Sequence, residues 1–343
     1  MDRIGKMRRA LMRSNTRLLL TAVIVFQALA LALLTFRNGA PSPQTALLTA
    51  AVPLVTALTV NGMGRLWPID RAILILSLLL ASVGIIALTA VARSEITPGT
   101  RAVYALGGIV AMFVGAAFVR GWQRWRRWAP CLAALCLLAL LSPWAIGSWH
   151  SGARNWITVI PGKLTVQPSE FMKPVLIAVL AAGFANRPRF VKCLAPIAFA
   201  AACCAVLLSE RDLGAVLLYF LTTVLMYYAA TSNALVTLAG LGMGAGAAVA
   251  AYHAFEYVRD RIAIWQNPWI DPENTGYQIV QSLIAIGSGG WFGMGLGLGS
   301  PRNVPLYHSD FIFASIAEEF GLLFAVGLLA VYVVIILDRK SVV

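Results

Sequence analysis

Ten apolar stretches divide this chain, at residues 17–36, 44–62, 72–92, 102–119, 128–148, 170–186, 191–209, 212–230, 234–253 and 310–337. Each is close to the roughly 17–25 residues that cross a bilayer as a helix. The length alone would allow two soluble domains, but composition excludes them. Of 343 residues, 59% are hydrophobic and 12% charged, and mean hydropathy is +0.79. Soluble domains carry about 25% charged residues, so these few could not coat two globular surfaces. The sequence predicts an all-α polytopic membrane protein with about ten transmembrane helices and a long extracytoplasmic loop before the last. The 27 Lys and Arg outnumber 14 Asp and Glu, a net +13. They cluster in short loops between spans, which points to the anionic face of a bilayer rather than to nucleic acid.

Loop charge sets the expected orientation. The basic segment MDRIGKMRRALMRSNTR precedes the first span, which is too long for a signal-peptide core and reads as an uncleaved helix. Alternate loops are then basic: Arg65 and Arg71; Arg120, Arg124, Arg126 and Arg127; Arg187, Arg189 and Lys192; finally Arg339 and Lys340. Both termini are therefore expected in the cytoplasm. The opposite face receives residues 149–169, the turn Glu210-Arg211-Asp212, and the long loop 254–309, and chemistry is expected there.

Most motifs admit an ordinary structural reading. Cys131, Cys136, Cys193, Cys203 and Cys204 lie in or at the ends of apolar stretches without zinc-ligand spacing, so they read as small buried hydrophobes. Three histidines, His150, His253 and His308, are too few to suggest a histidine-built metal or haem site. Arg154, among Trp149, Gly152 and Trp156, suits either an anionic head group or an interfacial aromatic belt with a snorkelling arginine. Pro168-Ser169-Glu170 reads as a helix start, with Lys173 placed for an i,i+3 pair to Glu170. Gly240, Gly242, Gly244 and Gly246 suit close helix approach. The glycines of the long loop lack GxGxxG or GxxxxGK[ST] spacing, which excludes a nucleotide loop. Residues 276–286 are expected as an amphipathic helix on the membrane surface, with those glycines turning the chain back.

Three acids end the sequence's argument. Asp310 stands where the outer loop meets the last span, and Glu318 and Glu319 lie roughly 12 Å deeper along a helix. Ionisable residues at that depth cost about 2.5–3.5 kcal/mol each and need partners or a wet cavity. An ion pair with Lys173 or Arg154 is the plain expectation for at least one glutamate.

Taken in order, GARNW, QPSEFMK, RDLG, NPWIDPENTGYQIVQSLIAIGSGGWFGMGLG and YHSDFIFASIAEEFG resemble the SEDS family of cell-wall proteins, the FtsW/RodA/SpoVE group. The likeness covers roughly residues 70–343, leaving 1–68 as an additional N-terminal helix pair before a core at 69–343. Family members continue through about two further helices, so the core is expected to be C-terminally truncated. The family pattern GARRW keeps only Arg154, with Asn155 in second place, and QPDLGT appears as Ser209-Glu210-Arg211-Asp212-Leu213-Gly214-Ala215, in which Asp212 survives while Pro and Thr do not.

The resemblance implies a peptidoglycan glycosyltransferase that polymerises lipid II at the outer face of the bacterial cytoplasmic membrane, in division, elongation or sporulation. It makes Asp310 the catalytic carboxylate and a class B penicillin-binding protein transpeptidase the partner. Substrate-binding residues are then expected at Arg154, Gln167, Ser169, Lys173, Arg259, Arg261, Gln278, Ser282 and His308. Glu170, Asp212, Glu318 and Glu319 are expected to shape the site or tune its acids. Arg154, Lys173, Arg259 and Arg261 would neutralise the pyrophosphate, with a divalent cation such as Mg or Mn as a candidate helper. Two rivals stay open: a lipid II flippase, which would use Glu318 and Glu319 in a polar path, and a non-catalytic membrane scaffold for a transpeptidase. The almost purely apolar cytoplasmic halves of the spans favour the polymerase over the flippase.

Overall fold

The computed structural model describes residues 2–37, 43–67, 69–91, 98–150, 153–160, 164–185 and 190–337. The helices are α1 (Asp2–Phe36), α2 (Pro43–Leu66), α3 (Arg71–Val91), α4 (Pro98–Arg120), α5 (Trp122–Trp125), α6 (Ala129–Ile146) and α7 (Pro168–Gly183). They continue with α8 (Phe190–Ser209), α9 (Leu213–Thr231), α10 (Ala234–Ala254), α11 (Glu256–Gln266), α12 (Tyr277–Gly289), α13 (Ile312–Phe320) and α14 (Leu322–Leu337). Among the described residues, seven helical segments are long and apolar enough to cross a membrane: 15–36, 45–66, 71–91, 122–146, 190–209, 213–231 and 234–254. This is a multi-pass membrane protein, and those seven coincide with seven of the ten expected stretches. The other three differ. The described apolar part of α4 is Leu106–Arg120, α7 has 16 residues, and the stretch at 310–337 is broken in two.

Packing divides the chain into two compact units, residues 1–115 with 261–343, and residues 116–260. In the first, α3 shows how one span is built. Its buried residues Leu74, Ile75, Leu78, Ser82, Val83, Ile86, Ala87 and Ala90 recur at helical spacing on one stripe, leaving the remaining apolar surface for lipid. Ala30, Leu31 and Leu34 of α1 and Leu48 of α2 share a core with Ile86 and Ala90.

The expected continuous last span ends instead at Gly321. This glycine has φ +86°, which a β-carbon would strain. Breaking a buried helix strands backbone groups that must find partners, and here the glycine-rich loop after α12 satisfies them. Met294 and Gly295 donate their amides to the carbonyls of Glu318 and Glu319 at 2.9 and 3.1 Å. Leu322 and Leu323 donate to Gly290 and Trp291 at 2.9 and 3.2 Å. The loop can come this close because it lacks side chains: a Cβ at Gly293 would strike the Glu319 carbonyl. These glycines do more than turn the chain: they let it pack against the broken end of α13. Likewise α12 packs Val280, Ala285 and Gly289 inward, with Gly289 against the Ala317 carbonyl, while Leu283 and Ile284 stay exposed. The helix is amphipathic, but its inner face meets α13.

In the second unit, Cys136, Leu140, Leu176, Leu180, Cys193, Cys203, Leu207 and Tyr219 form the centre of one core. Cys136, Cys193 and Cys203 are fully buried, Cys204 is half-buried and Cys131 exposed. Of the glycines in α10, Gly244 alone among the four lies tight against a neighbour, the Phe220 ring of α9, and Gly242 and Gly246 face open space. The outer loop at 149–169 contains a three-stranded antiparallel sheet not anticipated from the sequence: β1 (Ser148–His150), β2 (Ala153–Ile160) and β3 (Leu164–Val166), in that order. Its registers pair Ser148 with Trp156, and Ile157 and Thr158 with Val166 and Thr165. The β-branched run Ile157-Thr158-Val159-Ile160 favours the extended backbone.

Candidate active site

Within the first unit, the turn before α13 decides where Asp310 points. Val304 is buried with Ala285 and Ala314, and Tyr307 and Phe311 pack against them. Leu306 takes φ +54° and its carbonyl accepts the amides of Ser309 and Phe311 at 3.0 and 3.2 Å. A leucine held in that region costs about 1–3 kcal/mol, a strain opposed by the apolar anchors on either side. The Ser315 hydroxyl pins the turn further, donating to the Tyr307 carbonyl at 3.3 Å. With Val304, Tyr307 and Phe311 facing in, His308 and Asp310 face out and are exposed. The Asp310 carboxylate has no hydrogen-bonding or ionic partner among the described residues, so it is free to meet a ligand.

Further back in the same loop, a residue not singled out by sequence orders the entry to α12. Asp271 accepts from the Asn274 amide at 3.0 Å and from the Thr275 amide and hydroxyl at 3.2 and 2.9 Å. Those donors, the Thr275 amide first, hold its carboxyl below the usual aspartate range. A Cβ on Gly276 would strike the Pro268 carbonyl, which explains the glycine that closes this turn. Gln278 is exposed on the following helix, whereas Ser282 is buried and donates to the Ile279 carbonyl at 2.7 Å. Arg261 is exposed.

Glu318 and Glu319 sit at the broken end of α13, 4% and 3% exposed, and their burial decides what they need. The Glu318 carboxylate accepts the Ser300 amide at 2.8 Å. Its second oxygen and both oxygens of Glu319 are buried without a hydrogen-bond partner, and Arg37 is the cation facing Glu319. A loop amide holds Glu318, and Lys173, one of the two expected partners, bonds Glu170 at 2.6 Å instead; the side chain of the other, Arg154, lies outside the described residues. That i,i+3 pair is half-exposed and contributes about 0–1 kcal/mol.

The second unit has its own polar centre, Asp212. It caps α9 by accepting the Ala215 amide at 3.0 Å, and its other oxygen accepts the side-chain amides of Asn155 and Gln167 at 3.0 and 2.8 Å. One carboxylate thus joins β2, the start of α7 and the start of α9. Asn155, which stands where the family pattern has arginine, is a partner of Asp212, and the Gln167 amide is engaged in the same way. Ser169 is buried at the head of α7, where its carbonyl accepts the Tyr219 hydroxyl at 3.0 Å. Beside Asp212, buried Glu210 has one unpartnered oxygen. Burial, and then the Asp212 charge, push its carboxyl up to about 7.

Arg154 lies on β2, with its side chain outside the described residues. Arg259 is exposed and donates to the His253 carbonyl at the end of α10, 3.0 Å away. Arg211, unused by the sequence argument beyond its charge, takes φ +63° and sets its guanidinium 5.7 Å from the centre of the Tyr257 ring. Both line a 740 Å³ cleft with Ser209, Glu256 and Asp260. A proline, the family's residue at this position, has φ fixed near −65° and could not adopt this turn.

These features define a class: a polytopic membrane protein with a bare carboxylate on an anchored turn at the head of α13, a helix whose Ala314–Glu319 are buried in the protein. Comparison with known proteins narrows it. The family model FTSW_RODA_SPOVE, described as cell cycle protein, matches residues 67–342. The chain belongs to that family, as its motifs indicate. It is 38% identical over 224 residues to the peptidoglycan glycosyltransferase RodA of Mycobacterium bovis, covering 60% of this chain and 47% of that protein. It is 30% identical over 291 residues to a probable peptidoglycan glycosyltransferase FtsW of Aeromonas salmonicida, covering 79% and 72%. The chain thus spans about half the length of the mycobacterial relative. A chain from the structure described as "Structural coordination of polymerization and crosslinking by a peptidoglycan synthase complex" shares the fold, with TM-score 0.58, 24% identity, and coverage of 78% of this chain and 75% of that one.

Proposed function

We propose that this chain is a glycosyltransferase that joins lipid II units into glycan strands at the outer face of the bacterial cytoplasmic membrane, with Asp310 as general base. The observation that carries this reading is the exposed, unpartnered Asp310 on a turn anchored by Val304, Tyr307 and Phe311. Lipid II keeps its polyprenyl tail in the bilayer, so its sugars react near the interface. An exposed carboxylate on the turn that leads into α13, where the long loop meets the apolar end of the chain, suits that requirement, and the family's named glycosyltransferases support it.

In this reading Asp310 takes the proton from the 4-hydroxyl of an acceptor GlcNAc as that oxygen bonds the anomeric carbon of the donor. The bond from that carbon to the lipid-linked pyrophosphate breaks, and single displacement inverts the carbon. Arg261, in the same unit as Asp310, is the cation assigned to the departing pyrophosphate. The Arg211–Tyr257 cleft, with acceptors at Glu256 and Asp260, suits the sugar and peptide part of a lipid-linked head group. Among the described residues no three His, Cys, Asp or Glu side chains converge. A divalent cation in this reading would be held by one or two carboxylates together with the substrate's phosphates.

The partner in this reading is a class B transpeptidase, in keeping with a related fold seen in a peptidoglycan synthase complex. Both termini are assigned to the cytoplasm from the loop charges. The direct test incubates purified protein with lipid II, with and without the transpeptidase, and separates the products by length. Glycan chains support the reading. Unchanged lipid II in both reactions, or its transfer between leaflets without polymerisation, contradicts it.

A further inference from the structure

A second polar site lies in the first unit, apart from the exposed Asp310. A 360 Å³ cavity is lined by Arg37, Arg302, Glu319, the ends of α3 at Ala90 and Val91, and the backbone of Gly297–Asn303. That volume is at the lower end for small-molecule pockets. Its charges are mixed and unequal in their needs. Arg302 is exposed, while Arg37 lies over Gly297 so closely that a Cβ there would strike its guanidinium. Glu319, by contrast, is 3% exposed with both oxygens unpartnered, and Glu318 beside it keeps one oxygen unpartnered. A buried carboxylate without donors is costly, and the C-terminal end of a helix adds further negative potential. Arg37 faces Glu319 with no hydrogen bond between the two side chains, and the Gly297 amide is the backbone donor beside it, so a hydrogen-bonding ammonium is the missing element.

From this we infer that the cavity binds a zwitterionic lipid head group, with a primary ammonium at Glu319 and a phosphate at Arg37 and Arg302. An anion alone would satisfy the arginines but be opposed by Glu319. A metal or a simple amine would satisfy Glu319 but be opposed by two guanidiniums. A molecule carrying both charges answers the whole lining. Depth favours a lipid as the source: α1 and α3 are both membrane-spanning by length and composition, and the cavity lies at their ends, at the level of head groups. The site is composite, since Arg37 precedes the family-matched residues 67–342 while Arg302 and Glu319 lie within them. It needs no assumption about the reaction at Asp310.

The test uses the full chain in nanodiscs containing equal parts of phosphatidylethanolamine, phosphatidylcholine and phosphatidylglycerol, followed by native mass spectrometry of the released protein. Phosphatidylethanolamine should be retained at least roughly tenfold over either other lipid, the size expected of one charged hydrogen-bonded contact. The ethanolamine lipid alone offers ammonium N–H donors beside its phosphate. Arg37→Gln with Arg302→Gln should abolish the preference, and Glu319→Gln should reduce it. Arg37→Lys should keep it in part, which separates lost charge from a misfolded protein. Equal retention of phosphatidylglycerol would overturn the inference, as would an undiminished preference in the double variant. Binding of free phosphoethanolamine as tightly as the lipid would overturn its assignment to lipid.

Discussion

Glu210 shows how one atom's surroundings translate into a measurable property. Its carboxyl titrates near 7 when folded and near 4.5 when unfolded, because burial and Asp212 disfavour the charged form. The folded state therefore holds the proton more tightly. Stability at this residue is present below about 4.5 and is lost as pH rises through about 7. Thermal stability in detergent should fall across that window, and Glu210→Gln, the family pattern's residue at that place, should flatten the slope and raise stability at pH 8. An unchanged slope would show that Glu210 is already solvated. The sequence showed Asp212 beside it only as part of a charged turn between two spans. Its bonds to Asn155 and Gln167 were not legible, because they join residues 57 and 45 positions away.

At the scale of elements, the broken last span was the least legible part of the fold. Hydropathy reads 310–337 as one apolar run, since a single glycine hardly changes a window average. The signal was in chemistry that such an average ignores: two adjacent acids followed by Gly321, and glycines at 293, 295, 297 and 299. Three of the loop's alternate glycines, Gly293, Gly295 and Gly297, take positive φ. Gly321→Ala should destabilise the protein by about 1–3 kcal/mol from backbone strain alone, with crowding against Phe292 and Gly293 added to it. Gly327→Ala, in open space on α14, should be neutral or stabilising by up to about 1 kcal/mol. Thermal unfolding of both variants checks the contrast, and equal effects would mean that the clasp around Gly321 is not needed. The outer-loop sheet escaped notice for a different reason: two of its strands have only three residues, too few to show alternation.

For the whole molecule, hydropathy and ordered motifs were enough to indicate a multi-pass membrane protein and its family. The candidate site was legible only in part. Asp310 stood out by its place at a span boundary, but whether His308 and Asp310 faced outward depended on the positive φ of Leu306 and the anchoring of Val304. Orientation rests on loop charge, and cysteine-accessibility labelling checks it: positions 125 and 190 should react from the cytoplasmic side, and 160 and 275 from outside. Labelling of 275 from the inside only would invert the layout and remove Asp310 from the face where lipid II is proposed to react.

The most direct test of the central claim is the rate of lipid II polymerisation by Asp310→Asn beside an active parent protein under the same conditions. The substitution preserves size and much of the hydrogen bonding, but the amide cannot accept a proton at neutral pH. Positioned proton transfer contributes about 10²–10⁴-fold. Polymerisation should therefore fall by that factor or more while membrane insertion, thermal stability and transpeptidase binding remain at parental levels. Glycan synthesis by Asp310→Asn at the parental rate would contradict the assignment.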